Sequence, residues 1–302
     1  MTGFLGSREL RQLRRNHVAV LAAASVVALT LVAAAAQLLA PYSFAAQHPD
    51  AINASPGARF VLGADGLGRD ILSRLLHGAR ISLAVGLLSQ VLVLGIGVPL
   101  GLVAGYFRGR VDAALMQVVD VMLAIPDLLF VIILSTLVNG LVAGARHGPL
   151  LWLDQLNRGT SGVLVIVVVV GLTGWLPLAR LVRGQALSLS QHEFVEAARA
   201  SGIRAPRLLA RHLLPNVLDT VVTTVALGIP RAIFLEAALS FLGLGIQPPT
   251  PSWGIMIAEG IASMRFVPHV VMAPAVVLAL SMLAFNFLGD SLRDVVDPKL
   301  RV

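Results

Sequence analysis

Long apolar stretches alternate with short polar ones along the whole chain. Six of them, Val18 to Ala40, Ile81 to Gly105, Ala113 to Val138, Gly159 to Ala179, Thr220 to Ile246 and Phe266 to Gly289, reach the roughly 20 residues that carry a helix across the hydrocarbon core of a bilayer. Four of the six contain no Asp, Glu, Lys or Arg. Transmembrane β-strands would show segments of about 10 residues with alternating polarity, and runs such as Val163 to Val170 do not alternate. The pattern predicts an all-α membrane domain over residues 18–302, preceded by a polar stretch, 1–17. Between the first two spans, Gly63-Ala-Asp-Gly-Leu-Gly68 reads as a turn. The following Arg69 to His77 reads as a short interfacial helix, with Asp70 and Arg74 one turn apart.

Composition agrees with this. Of 302 residues, 57% are hydrophobic and 13% charged, and the mean hydropathy is +0.84. No cysteine is present, which excludes disulfides, thiolate metal sites and cysteine nucleophiles. The net charge of +7 would suggest nucleic-acid binding in a soluble protein, but here its distribution reads as an orientation signal. Fifteen Lys and Arg fall in segments 1–17, 106–112, 180–219 and 290–302, and seven in segments 41–80, 139–158 and 247–265. The positive-inside rule therefore expects both termini in the cytoplasm. Arg8, Arg11, Arg14 and Arg15 ahead of an apolar run also resemble a secretory signal, but the 23-residue run exceeds the typical core of about 7–15. The single lysine, Lys299, stands near the C-terminus, so no glycine-rich loop with a following lysine is available to cradle ATP.

The segment between the fourth and fifth spans carries the clearest local signals. Ser190-Gln-His-Glu193 has the form of a capping box, and an alanine-rich helix follows. Gly202 suits the left-handed residue that ends a helix, Pro206 the first turn of a second one, and Pro215 its stop. A helix, turn, helix unit projecting from the membrane is expected, with Ala197, Ala198, Ala200 and Ser201 as a surface that another backbone can approach. Docking element and inert connector both fit this pattern.

Ionisable residues inside spans cost about 2.5–3.5 kcal/mol each at a helix centre and need partners or water. Asp120 and Asp127, seven residues apart, are expected on one helix face. Arg231 and Glu236 lie five apart and are expected to pair with other helices. For all four, glue between helices is the plainer reading, and a role in a polar passage or its gating the alternative. Gly97, Gly101 and Gly105 form a small-residue stripe for close helix packing. Pro99, Pro126, Pro177, Pro230 and Pro274 are candidate kinks, and Trp152, Trp175 and Trp253 candidate interfacial anchors. His192-Glu193 lacks the second His of a zinc hydrolase, and no G-x-S-x-G elbow occurs. No catalytic or metal-ligating set is expected.

The stretch Glu193-Phe-Val-Glu196-Ala-Ala-Arg-Ala-Ser-Gly202, continuing to His212-Leu-Leu-Pro-Asn216, resembles the cytoplasmic E-A-A loop of ABC importer permeases of the dipeptide, oligopeptide and nickel branch. Four further blocks are similar to the same branch, in particular to its C-type permease: Leu62 to Leu83, Gly174 to Gly184, Leu239 to Gly254 and Leu288 to Pro298. Departures from the family pattern are Gln117 where an Arg is frequent, Asp127 after Pro126, and a long segment 139–158 with His147, Trp152 and Asp154.

The resemblance implies a type I importer permease fold and a coupling loop, 184–216, that docks into an ATPase subunit. Glu196, Ala197, Ala198, Gly202, His212 and Pro215 would form that coupling interface. Asp120, Asp127, Arg231 and Glu236 are the candidates for the translocation path. The implied partners are a second permease in a heterodimer, two P-loop ATPase subunits, an extracytoplasmic solute-binding protein and membrane lipid, without nucleic acid. ATP and Mg would be used by the ATPases, and this chain would bind no cofactor. The expected location is the bacterial inner membrane and the expected cargo dipeptides or oligopeptides. Nickel or another small solute is the alternative within the family, and an ion-coupled secondary transporter the alternative from another class.

Overall fold

The computed structural model describes residues 16–143 and 148–296, so Arg8, Arg11, Arg14, Arg15, His147 and Lys299 lie outside the described residues. Ten helices of eight or more residues are found among them: α1 (His17–Ala34), α2 (Ile71–Phe107), α3 (Gly109–Leu123), α4 (Asp127–Ala143), α5 (Pro149–Gly159), α6 (Val163–Leu189), α7 (Glu193–Ala200), α8 (Leu214–Phe241), α9 (Trp253–Gly260) and α10 (His269–Val296). No strand occurs among the described residues. Helices α1, α2, α6, α8 and α10 are long and apolar enough to cross a bilayer singly, and α3 with α4 would form a sixth, broken span.

Two helix boundaries differ from the sequence reading for a visible physical reason. The expected interfacial helix and the second span form one continuous helix of 37 residues, α2, which at 1.5 Å per residue is about 55 Å long. Gly78, which separates the two expected pieces, does not break it. That glycine is buried against Trp253, whose Cδ1 would lie 3.3 Å from an added Cβ. The expected third span is interrupted at Ala124-Ile125-Pro126, where the axes of α3 and α4 differ by 95°. Proline has no amide hydrogen and disfavours helical backbone in the residue before it. Pro99, Pro177, Pro230 and Pro274, in contrast, all lie inside continuous helices.

The most extensive helix packing is between α2 and α6. Gly97, Gly101 and Gly105 of α2 form its seam. An added Cβ on them would meet the carbonyl oxygens of Trp175 at 3.0 Å, Ala179 at 2.6 Å and Arg183 at 2.6 Å. Only hydrogen fits there, as the four-residue spacing expects. Helix α8 packs against both α2 and α6, and α10 and α1 add successively to its outer side. Trp253 is not an interfacial anchor: it is fully buried between α2, α8 and α10, and its Nε1 donates to the Leu75 carbonyl at 3.3 Å. Trp175 is buried as well, whereas Trp152 on α5 is exposed.

At one end of the bundle the loop 40–70 folds over the start of α2. Asp70 caps α2, accepting from the Ser73 amide at 2.8 Å and the Ser73 hydroxyl at 2.6 Å. Asp70 therefore does not pair with Arg74. The opposite end carries residues 190–213, beside Tyr106 and Arg108 at the end of α2.

The seam generates a contrast between two glycines of one helix. Gly101→Leu should force α2 and α6 apart, costing about 1–3 kcal/mol or more and lowering the melting temperature in detergent. Gly95→Leu on the same helix, where an added Cβ meets nothing within 4 Å, should leave it unchanged.

Candidate coupling element and translocation path

Helix α7 begins without the capping box expected at Ser190. His192 occupies the cap position and makes no side-chain capping bond. The Ser190 hydroxyl instead donates to the Leu187 carbonyl at 2.9 Å and accepts from Arg108 Nη2 at 2.6 Å, which ties the end of α6 to the end of α2. The far end of α7 closes as expected. Gly202 has φ +76°, its amide donates to the Arg199 carbonyl at 2.9 Å, and the next amide, of Ile203, reaches back to Ala198 at 3.2 Å. Pro206 lies in the first turn of Ala205–Leu208. Pro215 does not stop a helix; it stands in the first turn of α8, where a missing amide is harmless, after a π-helical turn at Leu209–Leu213.

One face of this unit is fixed and the other free. Val195, Ala198, Leu208 and Leu213 are buried in one apolar cluster with Val98 and Leu102 of α2, Leu178, Val182 and Ala186 of α6, and Val217 and Val221 of α8. Arg199 lies 4.6 Å from the Tyr106 ring centroid, a further tie to α2. Of the expected interface residues, Glu196, Ala197 and Gly202 are exposed, together with Ala200 and Ser201. Ala198 is corrected: it faces inward and is 7% exposed, because the helical period that exposes Ala197 turns its neighbour to the core. His212 is half-buried in the π-turn and Pro215 exposed at the root of α8, both apart from the outer face of α7. The sequence reading missed Phe194, a 40% exposed aromatic beside an open depression bounded by Ser188, Gln191, His192 and Glu193.

The four ionisable residues of the spans separate into different environments. Asp127, at the start of α4, pairs with Arg231 of α8, with Nη2 at 2.8 Å and Nε at 3.2 Å from the same oxygen, Oδ2. Asp120 of α3 pairs with Arg180 of α6, a partner that the sequence reading did not single out. A third pair, Arg183 and Asp112, is bidentate, with Nη2 to Oδ2 at 2.6 Å. The 95° break removes the face that Asp120 and Asp127 were expected to share.

Exposure then sorts the pairs. Asp127 and Arg231 are each 41% exposed, and Asp120 and Arg180 61% and 52%. Charges so exposed inside spans do not tolerate lipid, so this face is one that protein or water covers. A cavity of about 240 Å³ opens there, lined by the α3–α4 break, Thr173, Leu176 and Arg231. Glu236 does not belong to it. Its carboxylate is fully buried between α2 and α8, accepting from Ser82 Oγ at 3.0 Å and Ser240 Oγ at 2.8 Å, so its role as path lining is corrected to that of an interhelical tie.

A second charged site, at the end of the bundle opposite α7, was not foreseen. Arg69 contacts Asp65 and Glu259 at 2.7 Å each, and Arg74 contacts both acids, with 2.8 Å to Glu259. The cluster fastens the loop before α2 onto α9 and borders a cavity of about 290 Å³. Burial raises the Asp65 pKa, but the Arg69 and Leu67 amides and the two guanidinium groups overcome it and hold that carboxyl below its ordinary 3.8. A depressed folded pKa means that the contribution of Asp65 to stability is complete above pH 3.8 and is lost as pH falls through the folded value. The melting temperature in detergent should therefore drop on acidification below pH about 4 more steeply in wild type than in Asp65→Asn. At neutral pH, Arg69→Met, which leaves two acids to the single guanidinium of Arg74, should destabilise by about 3–5 kcal/mol.

Comparison with known proteins identifies the family. A family model described as binding-protein-dependent transport system inner membrane component matches residues 97–302, and one for the N-terminal transmembrane domain of oligopeptide transport permease C matches residues 6–56. The glutathione transport system permease protein GsiD of Pectobacterium atrosepticum is 40% identical over 96% of this chain and 90% of its own length. The oligopeptide permease OppC and the dipeptide permease DppC of Bacillus subtilis are 35% and 38% identical, over 95% and 96% of this chain and 88% and 85% of their own. Among solved structures, a chain of the MetNI methionine ABC transporter superposes with a TM-score of 0.57 at 17% identity, over 74% of this chain and 96% of that one, a likeness of fold.

Proposed function

The chain belongs to the family of binding-protein-dependent transport system inner membrane components, and from that premise we propose that it is the C-type permease of an importer for short peptides. It is a multi-pass permease subunit of an ABC importer. The peptide cargo is inferred from relatives whose names specify glutathione, oligopeptides and dipeptides, the first of these itself a small peptide.

In this reading the exposed face of α7, with Glu196, Ala197, Gly202 and Phe194, docks into an ATPase subunit. One observation carries it: the opposite face of α7 is built into the same core as the ends of α2, α6 and α8. A displacement applied to Glu196 and Ala197 is passed through that shared core to three spans. His212 and Pro215 join the element to α8. The half-exposed face with Asp120, Asp127, Arg180 and Arg231 meets a second permease, and the water-filled path runs between the two chains. Two ATPase subunits hydrolyse ATP with its Mg, a solute-binding protein delivers the peptide, and this chain performs no covalent step. Closure of the ATPases switches the bundle between inward-open and outward-open states.

Reversing the charge on the docking face without touching its buried side should uncouple the importer. Glu196→Lys is expected to reduce peptide uptake at least about tenfold at unchanged abundance in the membrane, and Ala197→Asp on the same exposed face to do the same. Normal uptake in both, measured with labelled peptides in whole cells, would remove α7 from the coupling role.

Orientation is tested separately. The excess of Lys and Arg supports cytoplasmic termini, which places α7 inside and the loop 40–70 outside. As the chain has no native cysteine, single replacements report cleanly. In intact spheroplasts Ser55→Cys should react with a membrane-impermeant maleimide while Ser201→Cys reacts only in inverted vesicles, and the opposite pattern would invert the topology.

A further inference from the structure

The Asp127–Arg231 pair has unspent capacity. Both Arg231 contacts converge on Asp127 Oδ2, and among the described residues no hydrogen bond or ion pair reaches Asp127 Oδ1 or Arg231 Nη1. A guanidinium satisfies a carboxylate best through two parallel bonds to two oxygens, as Arg183 does with Asp112, so this pair holds one free acceptor and one free donor. Both side chains are 41% exposed on the wall of the 240 Å³ cavity and are its only charged lining. The remaining wall is largely apolar, with Met122, Ile125, Phe130 and Leu176, and the Thr173 hydroxyl there is already committed to the Val170 carbonyl at 3.1 Å.

A neutral pair of opposite charges discriminates by sign pattern. A ligand with a single charge gains one attraction and meets one repulsion. A ligand that offers an ammonium to the carboxylate and a carboxylate to the guanidinium gains both. The cavity is smaller than the roughly 300–1,000 Å³ of drug-sized ligand sites, so the two ligand charges must be close together. Each further residue of an extended chain adds about 3.3–3.6 Å between its ends, which restricts the match to the shortest peptides. The apolar wall receives side chains without selecting among them.

We propose that the Asp127–Arg231 pair is a binding subsite for the zwitterionic backbone of a dipeptide-sized cargo, with the peptide ammonium on Asp127 Oδ1 and its carboxylate on Arg231 Nη1. This rests on the reading of the chain as a peptide permease and adds to it which peptides the path itself recognises. Asp127 and Arg231 are residues of specificity, and the termini, not the side chains, are what they read.

The test uses the intact complex of permeases and ATPases in detergent, without binding protein, and equilibrium dialysis of labelled Ala-Ala. Binding should be competed by unlabelled Ala-Ala and at least about tenfold less well by N-acetyl-Ala-Ala and by Ala-Ala amide, each of which removes one charge. Asp127→Asn and Arg231→Gln should each weaken Ala-Ala binding about tenfold or more. Asp127→Asn should in addition erase the difference between Ala-Ala and its N-acetyl form, an effect that a merely structural role would not produce. The double exchange Asp127→Arg with Arg231→Asp keeps an ion pair, and its melting temperature shows whether folding is preserved. Undetectable Ala-Ala binding, equal binding in wild type and in Asp127→Asn or Arg231→Gln, or equal competition by the blocked peptides would each overturn the proposal. Uptake by the same complex supplied with binding protein separates the two claims. Peptide transport that depends on this chain, with Ala-Ala binding insensitive to both residues, defeats the subsite alone, whereas peptide transport that does not need the chain defeats the reading beneath it.

Discussion

The seam between α2 and α6 sets the geometry of everything around it. In lipid, helices gain little by hiding apolar side chains from one another, so association rests on close contact and on the few polar ties available. The three glycines of α2 let its backbone come within contact distance of three carbonyls of α6 along about two helical turns. That approach fixes the end of α2 beside the end of α6, which places Arg108 on Ser190 and Tyr106 under Arg199. It also presents a joint surface to α8, whose Glu236 reaches Ser82 on α2.

Polar groups then settle wherever this packing allows them a partner, and their burial tells their roles apart. Glu236 is enclosed with hydroxyls, and Asp65, Arg69 and Arg74 are enclosed with one another and Glu259. Such groups hold elements in register, and removal of one partner strands the rest. The pairs of Asp127 with Arg231 and Asp120 with Arg180 are different. Half-exposed ion pairs in water contribute little to stability, and in lipid they would be costly, so packing does not account for them. They are intelligible on a face that borders water or another chain.

Much of this was legible in the sequence because it depends on period and spacing. The six apolar runs, the glycine stripe and the closure of α7 at Gly202 are local patterns with one physical solution. What was not legible depends on contacts between distant segments. The same glycine type that ends α7 merely makes room for Trp253 at Gly78, and only the folded chain distinguishes the two. Five prolines looked alike, yet only Pro126 marks a break, since the others lie inside helices packed along most of their length. Ala198 pointed inward where a row of small residues suggested a surface, and Trp253 was buried by a partner 178 residues away in sequence. Arg180 with Asp120, and Arg69 and Arg74 with Glu259, are long-range pairs, for which spacing carries no signal.

The mechanical consequence follows from how unequally the bundle is bonded. The ends of α2, α6 and α8 share one close-packed cluster with α7, and such interiors transmit displacement with little compression. Helices α3 and α4 are joined to that body more sparsely, and their own ladder is interrupted at residues 124–126. Three ion pairs, through Asp112, Asp120 and Asp127, cross from these two helices to α6 and α8. A body that moves as one, beside a pair of helices that bends, concentrates strain at the break and at those three crossings. The cavity at Asp127 lies at both, so a peptide bound there would feel any displacement applied to α7, and its charges would in turn bias which arrangement of the pair is favoured.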